Sequence, residues 1–527
     1  MRSALSIFAL LLASYGPMFA KTHYIAAGGG SDSNPGTLSK PWATFTRALA
    51  EMAPCDTLIV GDGYYYDAIK PQSNNNGNTS GSGCYTVIEA ATPWGVTVDA
   101  SKLTPQPNGA IYMYRNSYIQ VVGIKFAGNP SFIQNGTQTQ PVFINASDHI
   151  KLQQTAAFNA PCSENTNAYT IGPASSYVLV EDSHAWGCGR YKFEVYQSDH
   201  VILRRDVSRH DYQDLNSQWW RQCANFTSYD STDILLQNDI AIDSGFADNS
   251  TGKLWGGLWV ENNRLVENIL EVDGSIFLNL RGIAGINDEK EGGTHTYNHD
   301  AVWDVAGGLQ AGYLPGVKET PTLVAQHMTF GDISGKAQDC CYGWGTGSES
   351  NSANFISQST TNSVIQQAES FGISNYMTSD YNVFYKNAAN YGTNIYQGPM
   401  PKPGAHDRTM NPHLKYITRA EAGSPLIGTA SDGGNIGATI LYSIGKSGTL
   451  WGDAGYDTIT SAPLWPFPNE ATIKTDMASY TGPGAKGARG FAASGVGLYG
   501  GPITLTSYIW EYLGNICPHD ICPGGSR

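Results

Sequence analysis

A short phrase returns along the chain: an apolar residue, any residue, a second apolar residue, two more, then a small or polar one. It reads Ile150-x-Leu152-x-x-Thr155, Val178-x-Val180-x-x-Ser183, Val201-x-Leu203-x-x-Asp206 and Ile234-x-Leu236-x-x-Asp239. Looser copies are Ile119-x-Val121, Leu265 with Asn268, and Thr322-x-Val324-x-x-His327. First positions fall at 119, 150, 178, 201 and 234, giving steps of 31, 28, 23 and 33 residues. Alternation marks strands and the intervening Asn, Asp, Ser and Gly mark turns. A repeat of this length built from strand-like units predicts a β-solenoid.

Most copies carry a second strand upstream: Ile111 and Met113 before Ile119, Val142 and Ile144 before Ile150, Phe193 and Val195 before Val201, and Phe226 before Ile234. Each coil therefore reads as strand, short turn, strand, polar bend, third strand and longer loop. One coil cannot close a core, but stacked coils bury a continuous interior. The expected architecture is all-β, a parallel β-helix. A sandwich would place its turns every 8 to 12 residues or so without this three-part phrase.

The ends depart from the pattern. Trp42, Phe45, Leu49 and Met52 recur at helical spacing, predicting a capping helix before Asp56-Thr57-Leu58-Ile59-Val60. Leu505, Tyr508, Ile509, Tyr512 and Leu513 form a second apolar stripe that ends at Gly514. The rung phrase fades after about residue 440, where Gly, Pro and Trp become frequent. The expected organisation is residues 1–20 as a secretory signal, 21–66 as an N-terminal cap and first rung, 67–440 as the solenoid, and 441–527 as a C-terminal extension or cap.

Composition narrows the function classes. The 527 residues include 60 Gly, 30 Tyr and 12 Trp, only 14% are charged, and the formal net charge is −14. An acidic chain disfavours general nucleic-acid binding, which needs a basic surface. No apolar run reaches the roughly 18 residues that span a bilayer. Arg2, the apolar stretch Ala4 to Ala13, and Ala20 at a cut site read as a secretory signal, although Met18 fits that cut poorly. Export permits disulfides among the nine cysteines. Cys55 with Cys84, Cys162 with Cys188, and Cys517 with Cys522 are plausible pairs; an odd count leaves at least one thiol over, and sequence does not fix connectivity.

Three segments carry a family resemblance. His23-Tyr24-Ile25-Ala26, Ser31-Asp32-Ser33-Asn34-Pro35-Gly36-Thr37 and Pro41-Trp42-Ala43-Thr44 resemble the opening of secreted right-handed parallel β-helix proteins of the pectate-lyase-like superfamily. Ser379-Asp380-Tyr381-Asn382-Val383-Phe384-Tyr385, and Ser424-Pro425-Leu426-Ile427-Gly428 through Asn435-Ile436-Gly437-Ala438, resemble their closing rungs. Leu464-Trp465-Pro466-Phe467-Pro468-Asn469-Glu470 and Tyr508-Ile509-Trp510-Glu511-Tyr512-Leu513-Gly514-Asn515 look similar to tails of uncharacterised bacterial members. The resemblance implies a right-handed winding over residues 23 to 440, and a fold alone leaves activity open.

Strand alternation places candidate chemistry on one outer wall. With Phe193 and Val195 inward, Lys192, Glu194 and Tyr196 point outward. The same register turns out Tyr112 and Tyr114 on one rung, Phe143 and Asn145 on another, and Asn225 and Thr227 on the rung after Glu194. Aromatic rings interleaved with polar groups suit an extended glycan. Long loops bring Arg209-His210-Asp211-Tyr212-Gln213-Asp214, Trp219-Trp220-Arg221 and Trp259 toward this wall. In the resembled superfamily, uronate lyases remove a proton beside a carboxylate with Lys or Arg while calcium or another cation neutralises the acid. That resemblance makes Lys192 the candidate base, Arg190 or Arg221 the carboxylate partner, and Glu194, Asp211 and Asp214 the candidate calcium ligands. His210 with Asp211 is an alternative acid-base couple.

Other signals are weaker. No arrangement resembles the polygalacturonase set of Asn-Thr-Asp, paired Asp, Gly-His-Gly and Arg-Ile-Lys, nor the Tyr-Gly-Phe-Asp-Pro-His stretch of alginate epimerases. The G-x-G-x-x-G runs at Gly482 and Gly495 lack a βαβ setting. His295, His299 and Asp300 offer a metal alternative if the two histidines share a strand face. The leading expectation is an extracellular polysaccharide-active protein, with lyase action on uronic-acid glycans as its finer form. Its rivals are a non-catalytic carbohydrate-binding or adhesion solenoid and a structural surface component.

Overall fold

The computed structural model describes residues 20–524 apart from residues 78–80, 82, 103–108, 131–139, 163–164, 213–222, 246–253, 262–268, 291–292, 314–321, 336–343, 349–356, 376 and 394–398. Residues 1–19, where a secretory signal is expected, and Cys340 and Cys341 lie outside the described residues. Successive coils pair in parallel and in register. Ile119, Ile150, Val178, Val201, Ile234 and Leu270 are consecutive partners across one sheet. The chain is a parallel β-helix with three sheets, and the handedness rule for parallel connections makes its winding right-handed.

The first sheet contains Ile111–Tyr114, Val142–Asn145, Tyr169–Ile171, Tyr191–Tyr196, Cys223–Tyr229 and Leu254–Glu261. The second contains Ser117–Val122, Asp148–Gln153, Ser176–Glu181, Asp199–Arg204 and Thr232–Gln237. The third contains Ile124–Ala127, Ala156–Phe158, His184–Trp186, Val207–Ser208 and Ile240–Ile242. Two long strands, Ile276–Lys290 and Ala301–Tyr313, run from the third sheet of one coil into the first sheet of the next. They join those two sheets into a single hydrogen-bonded surface.

The polar residue that closes each repeat phrase has a definite task. The Thr155 N–H donates to Ser183 Oγ at 3.0 Å, Ser183 N–H to Asp206 Oδ1 at 2.8 Å, and Asp206 N–H to Asp239 Oδ1 at 2.8 Å. Asp239 N–H continues to Ser275 Oγ at 3.1 Å, and Ser275 N–H to Asp300 Oδ1 at 2.7 Å. Gln154, Asp182, Arg205 and Asn238, the residues before the first four, have φ between 52° and 57°. Turning the chain there leaves the next N–H facing along the axis, and a short acceptor one rung away satisfies it.

Inside, Ile119, Ile150, Val178, Val201, Phe193, Val195 and Phe226 join one continuous core. Helix α1 (Phe45–Glu51) is capped by Thr44, whose side chain accepts from Arg47 N–H. Its buried Phe45, Ala48 and Leu49 belong to that same core. Disulfides join Cys55 to Cys84, Cys162 to Cys188 and Cys517 to Cys522. Among the described residues no helix is long and apolar enough to cross a membrane.

The C-terminal extension runs back along the outside of the solenoid. Outward residues of the third sheet, including Val207, Ile240, Ile276, Leu278 and Trp303, form a second core with Trp465, Phe467, Ile473, Met477, Leu505 and Trp510. Helices α2 (Glu470–Ala478) and α3 (Leu505–Trp510) supply several of these. Leu450, Trp451 and Tyr456 cover Leu179, Ile202 and Leu235 on the second sheet. Polar anchors accompany the packing: Asp476 accepts from Lys125 Nζ at 2.6 Å and meets His184 Nε2 at 2.9 Å. Along these middle coils the extension covers the outer faces of the second and third sheets.

Candidate functional site

On the outer face of the first sheet lies a groove of about 360 Å³. Its walls include Phe143, Asn145, Thr170, Arg190, Glu194 and Tyr196, with Asn165, Asn167, Pro173, Tyr191 and Tyr229. Parallel pairing builds the centre, because Thr170 is opposite Phe143 on one side and Glu194 on the other. Phe143 stacks on Tyr112 at 5.6 Å, and Tyr112 on Tyr114 at 6.4 Å, carrying the aromatic surface one rung farther. Tyr114 is 46% exposed and Arg115 lies over its ring at 5.0 Å.

Glu194 is the acidic side chain of this groove. Oε2 accepts from Asn167 Nδ2 at 2.5 Å and from Thr170 Oγ1 at 3.2 Å, while Oε1 takes no hydrogen bond among the described residues. Burial pushes the carboxyl up to about 7, against the opposing pull of Arg190 and the two donors. Withdrawal from water penalises the charged form, so a carboxyl here exchanges its proton near neutrality. Arg190 donates from Nη1 to Asn165 Oδ1 at 2.6 Å and lies over the Tyr191 ring at 4.6 Å.

Lys192 requires a correction. Its side chain is fully buried rather than presented on an open wall, and Tyr191, not Lys192, shares the outer groove with Glu194 and Tyr196, so the alternation expected from Phe193 breaks at the start of this strand. Nζ donates to the carbonyls of Cys188 at 2.8 Å and Gly189 at 3.1 Å, beneath the loop that carries Arg190. Burial lowers its amine to about 7, partly offset by Asp211. His210 is buried too, with Nε2 at 3.3 Å from the Arg190 carbonyl, and burial with the nearby Lys192 holds its imidazole well below the usual range. Neither side chain lines the groove. Strict alternation back from Phe193 fails at this corner, where Tyr191 turns outward against Trp259.

Asp211 is likewise engaged elsewhere. Oδ1 takes Arg489 Nη1 at 2.5 Å and Arg209 Nε at 3.0 Å, and Oδ2 accepts from Gly187 N–H at 2.7 Å. Those cations and that donor already occupy the oxygens of Asp211. Asn225, expected on the outer wall, is instead buried and donates to Ser208 O at 3.1 Å and Ser244 Oγ at 2.9 Å, and Ser208 stands in register with the core residues Ala185 and Ala241. Trp259 is buried between Tyr191 at 5.7 Å and Tyr229 at 5.8 Å, supporting the groove's rings from behind. Asp214, Trp219, Trp220 and Arg221 lie outside the described residues.

The His295 alternative also separates. His295 faces the interior, where Nδ1 meets Asp288 Oδ2 at 2.7 Å, whereas His299 turns at a corner with φ of 54° and stacks on His327 at 4.6 Å. The corner breaks the strand alternation that would have put both on one face. Among the described residues no three His, Cys, Asp or Glu side chains cluster to hold a metal.

Of the sequence-derived candidates, Phe143, Asn145, Arg190, Glu194 and Tyr196 line one groove, with Tyr112 and Tyr114 on its flank. Asn165, Asn167, Thr170, Pro173, Tyr191 and Tyr229 were not anticipated. A signal for Thr170 existed: Tyr169-x-Ile171 precedes Val178 much as Phe193-x-Val195 precedes Val201.

No family model matches the chain, and no curated protein matches it in sequence. Solved structures do. One is XylC with xylose, at 10% identity over 75% of this chain and 87% of that one, with a TM-score of 0.48. Another is a pectate lyase, at 14% identity over 79% and 95%, with a TM-score of 0.44. A third is a rhamnogalacturonan lyase, at 15% identity over 59% and 82%, with a TM-score of 0.43.

Proposed function

We propose that this is an extracellular polysaccharide-active protein that seats an extended glycan along the outer wall of the first sheet. The observation that carries the reading is Glu194, raised to about 7 in a groove shared with Arg190 and lined by aromatic rings. Sugar faces pack on Tyr112, Tyr114, Phe143 and Tyr196, while Asn145, Asn165 and Asn167 meet hydroxyls. Arg190 pairs with a sugar carboxylate, favouring a uronic-acid-containing chain.

In the lyase form, Glu194 in its ionised form takes the proton from the carbon beside the uronate carboxyl. A carbon–carbon double bond forms as the neighbouring carbon–oxygen bond breaks, and the departing oxygen gains a proton. A group that titrates near 7 is suited to such transfer. The test is incubation with a panel of uronans, following ultraviolet absorbance of the unsaturated product. Wild type generates it and Glu194→Gln does not; turnover that survives Glu194→Gln with the protein folded overturns the assignment.

One observation favours a second reading. With Lys192 and His210 buried, the groove has no lysine or histidine among its described lining residues. A non-catalytic carbohydrate-binding solenoid needs none. Retention on uronan gels without release of any product would favour it.

A further inference from the structure

The loop of residues 187–190 forms the groove wall that carries Arg190, and it needs outside support. Gly187 and Gly189 adopt φ of +87° and +112°. An added Cβ would sit 2.6 Å from Asn159 Oδ1 at the first and 2.8 Å from Ala160 Cβ at the second. Both conformation and space therefore demand glycine, the residue with the most conformational freedom to lose on ordering.

Besides the Cys162–Cys188 disulfide and the Arg190 N–H bond to the Thr166 carbonyl at 2.7 Å, the backbone of this loop is tied from two further sides. Gly187 N–H donates to Asp211 Oδ2 at 2.7 Å, and Asp211 N–H returns a bond to the Gly187 carbonyl at 3.3 Å. Lys192 Nζ holds the carbonyls of Cys188 and Gly189 from beneath. Asp211 is in turn aimed by the C-terminal extension. Arg489 donates from Nη1 to Asp211 Oδ1 at 2.5 Å and from Nη2 to the Asp243 carbonyl at 2.9 Å. Arg209, whose Nε meets the same Asp211 Oδ1 at 3.0 Å, donates to the carbonyls of Met477 at 2.6 Å and Gly487 at 2.8 Å, both in the extension. Tyr480 OH lies 3.5 Å from Cys188 Sγ.

We propose that Arg489 is a positioning residue for the groove: through Asp211 and the backbone of residues 187–190, the C-terminal extension sets where the Arg190 guanidinium stands relative to Glu194. The extension is then a working part of the site, although its residues are nearly 300 positions away in sequence. This rests on the reading of the groove as a glycan site only for its consequence in binding; the geometry can be tested without any glycan.

The experiment follows the titration of the Glu194 carboxyl in the full chain by carbon-13 NMR, assigned by loss of its signal in Glu194→Gln. Arg190 favours the ionised form of Glu194, so displacing it raises the midpoint. Arg190→Gln and Arg489→Gln are each expected to raise it by about half a unit or more. In the double variant the two shifts do not add. Arg489→Lys restores part of the effect through a single donor, and Asp211→Asn, which keeps an acceptor for Gly187 N–H, reproduces it if Arg489→Gln fails to fold. An unchanged midpoint in folded Arg489→Gln or Asp211→Asn overturns the proposal, as does full additivity with Arg190→Gln. In parallel, oligogalacturonate and cellohexaose serve as binding probes. Selective loss of the acidic oligomer in Arg489→Gln supports the proposal, and equal loss of both overturns it. If wild type binds no glycan, the functional reading fails while the titration still decides the role of Arg489.

Discussion

The first and third sheets share a rung geometry and one interior, yet their outer faces have opposite fates. On the third sheet, Val207, Ile240, Ile276, Leu278 and Trp303 point outward and are buried under the C-terminal extension. On the first, Tyr112, Phe143, Asn145, Thr170, Glu194 and Tyr196 point outward, and several line an open groove. A sheet apolar on both faces needs a cover; one that alternates apolar with polar can meet solvent. The extension thus stabilises one flank and leaves the other accessible.

The largest expected effect strikes the covered flank. Trp510 is fully buried among Trp465, Tyr416 and Leu505. Trp510→Ala should cost about 3–5 kcal/mol in denaturant unfolding, as for other large buried aromatics. A variant that unfolds like wild type would mean that the flank does not depend on this cover.

On the open flank, Glu194→Gln should lower any lyase turnover by about 100-fold or more, the usual scale for a lost acid-base group. Its stability should respond in the other direction. The folded state holds the Glu194 proton up to about 7, so wild type loses stability as pH rises from the ordinary carboxylate range through that value. Glu194→Gln should flatten this slope in melting curves collected from pH 4 to 8. A slope unchanged by the substitution would show that Glu194 ionises freely in the fold.

A related test falls at the corner between the second and third sheets, in the ladder of turn residues. Burial and the neighbouring Asp239 hold the Asp206 carboxyl well above its usual range. Asp206→Asn keeps an oxygen for Ser183 N–H and removes the charge that appears at higher pH. A gain on the order of 1 kcal/mol is expected at pH 8, vanishing near pH 4, by chemical denaturation. Equal effects at both pH values would place the cause in packing instead.

The smallest effect belongs to Tyr114→Ala. Its ring is 46% exposed, so the melting temperature should hardly move. Glycan affinity should fall by about 1 kcal/mol, read by calorimetry, if the aromatic surface extends the groove. Affinity equal to wild type would end the groove at Phe143.

Much of the fold was legible because its repeat is chemical as well as periodic. Ile150, Val178, Val201 and Ile234 mark the interior, while Ser183, Asp206 and Asp239 are the acceptors that join one turn to the next, beginning from the Thr155 N–H. The groove was partly legible for the same reason: alternation turns Phe143, Asn145, Glu194 and Tyr196 outward together. It failed where the strand is irregular or a second layer intervenes. Lys192 departs from the alternation, because Tyr191 takes the outward place, and is buried against the carbonyls of Cys188 and Gly189, while Trp259 keeps to it and is buried against Tyr191 and Tyr229.

The sequence by itself determined the rung, its inward residues and the direction of outward side chains such as Phe143, Asn145, Glu194 and Tyr196, because these follow from a strand period of two and a turn that needs an acceptor. Only the tertiary structure decided which outward residues reach solvent. That choice depends on where the extension and loop 187–190 come to rest, through contacts such as Arg489 with Asp211 that no local period encodes.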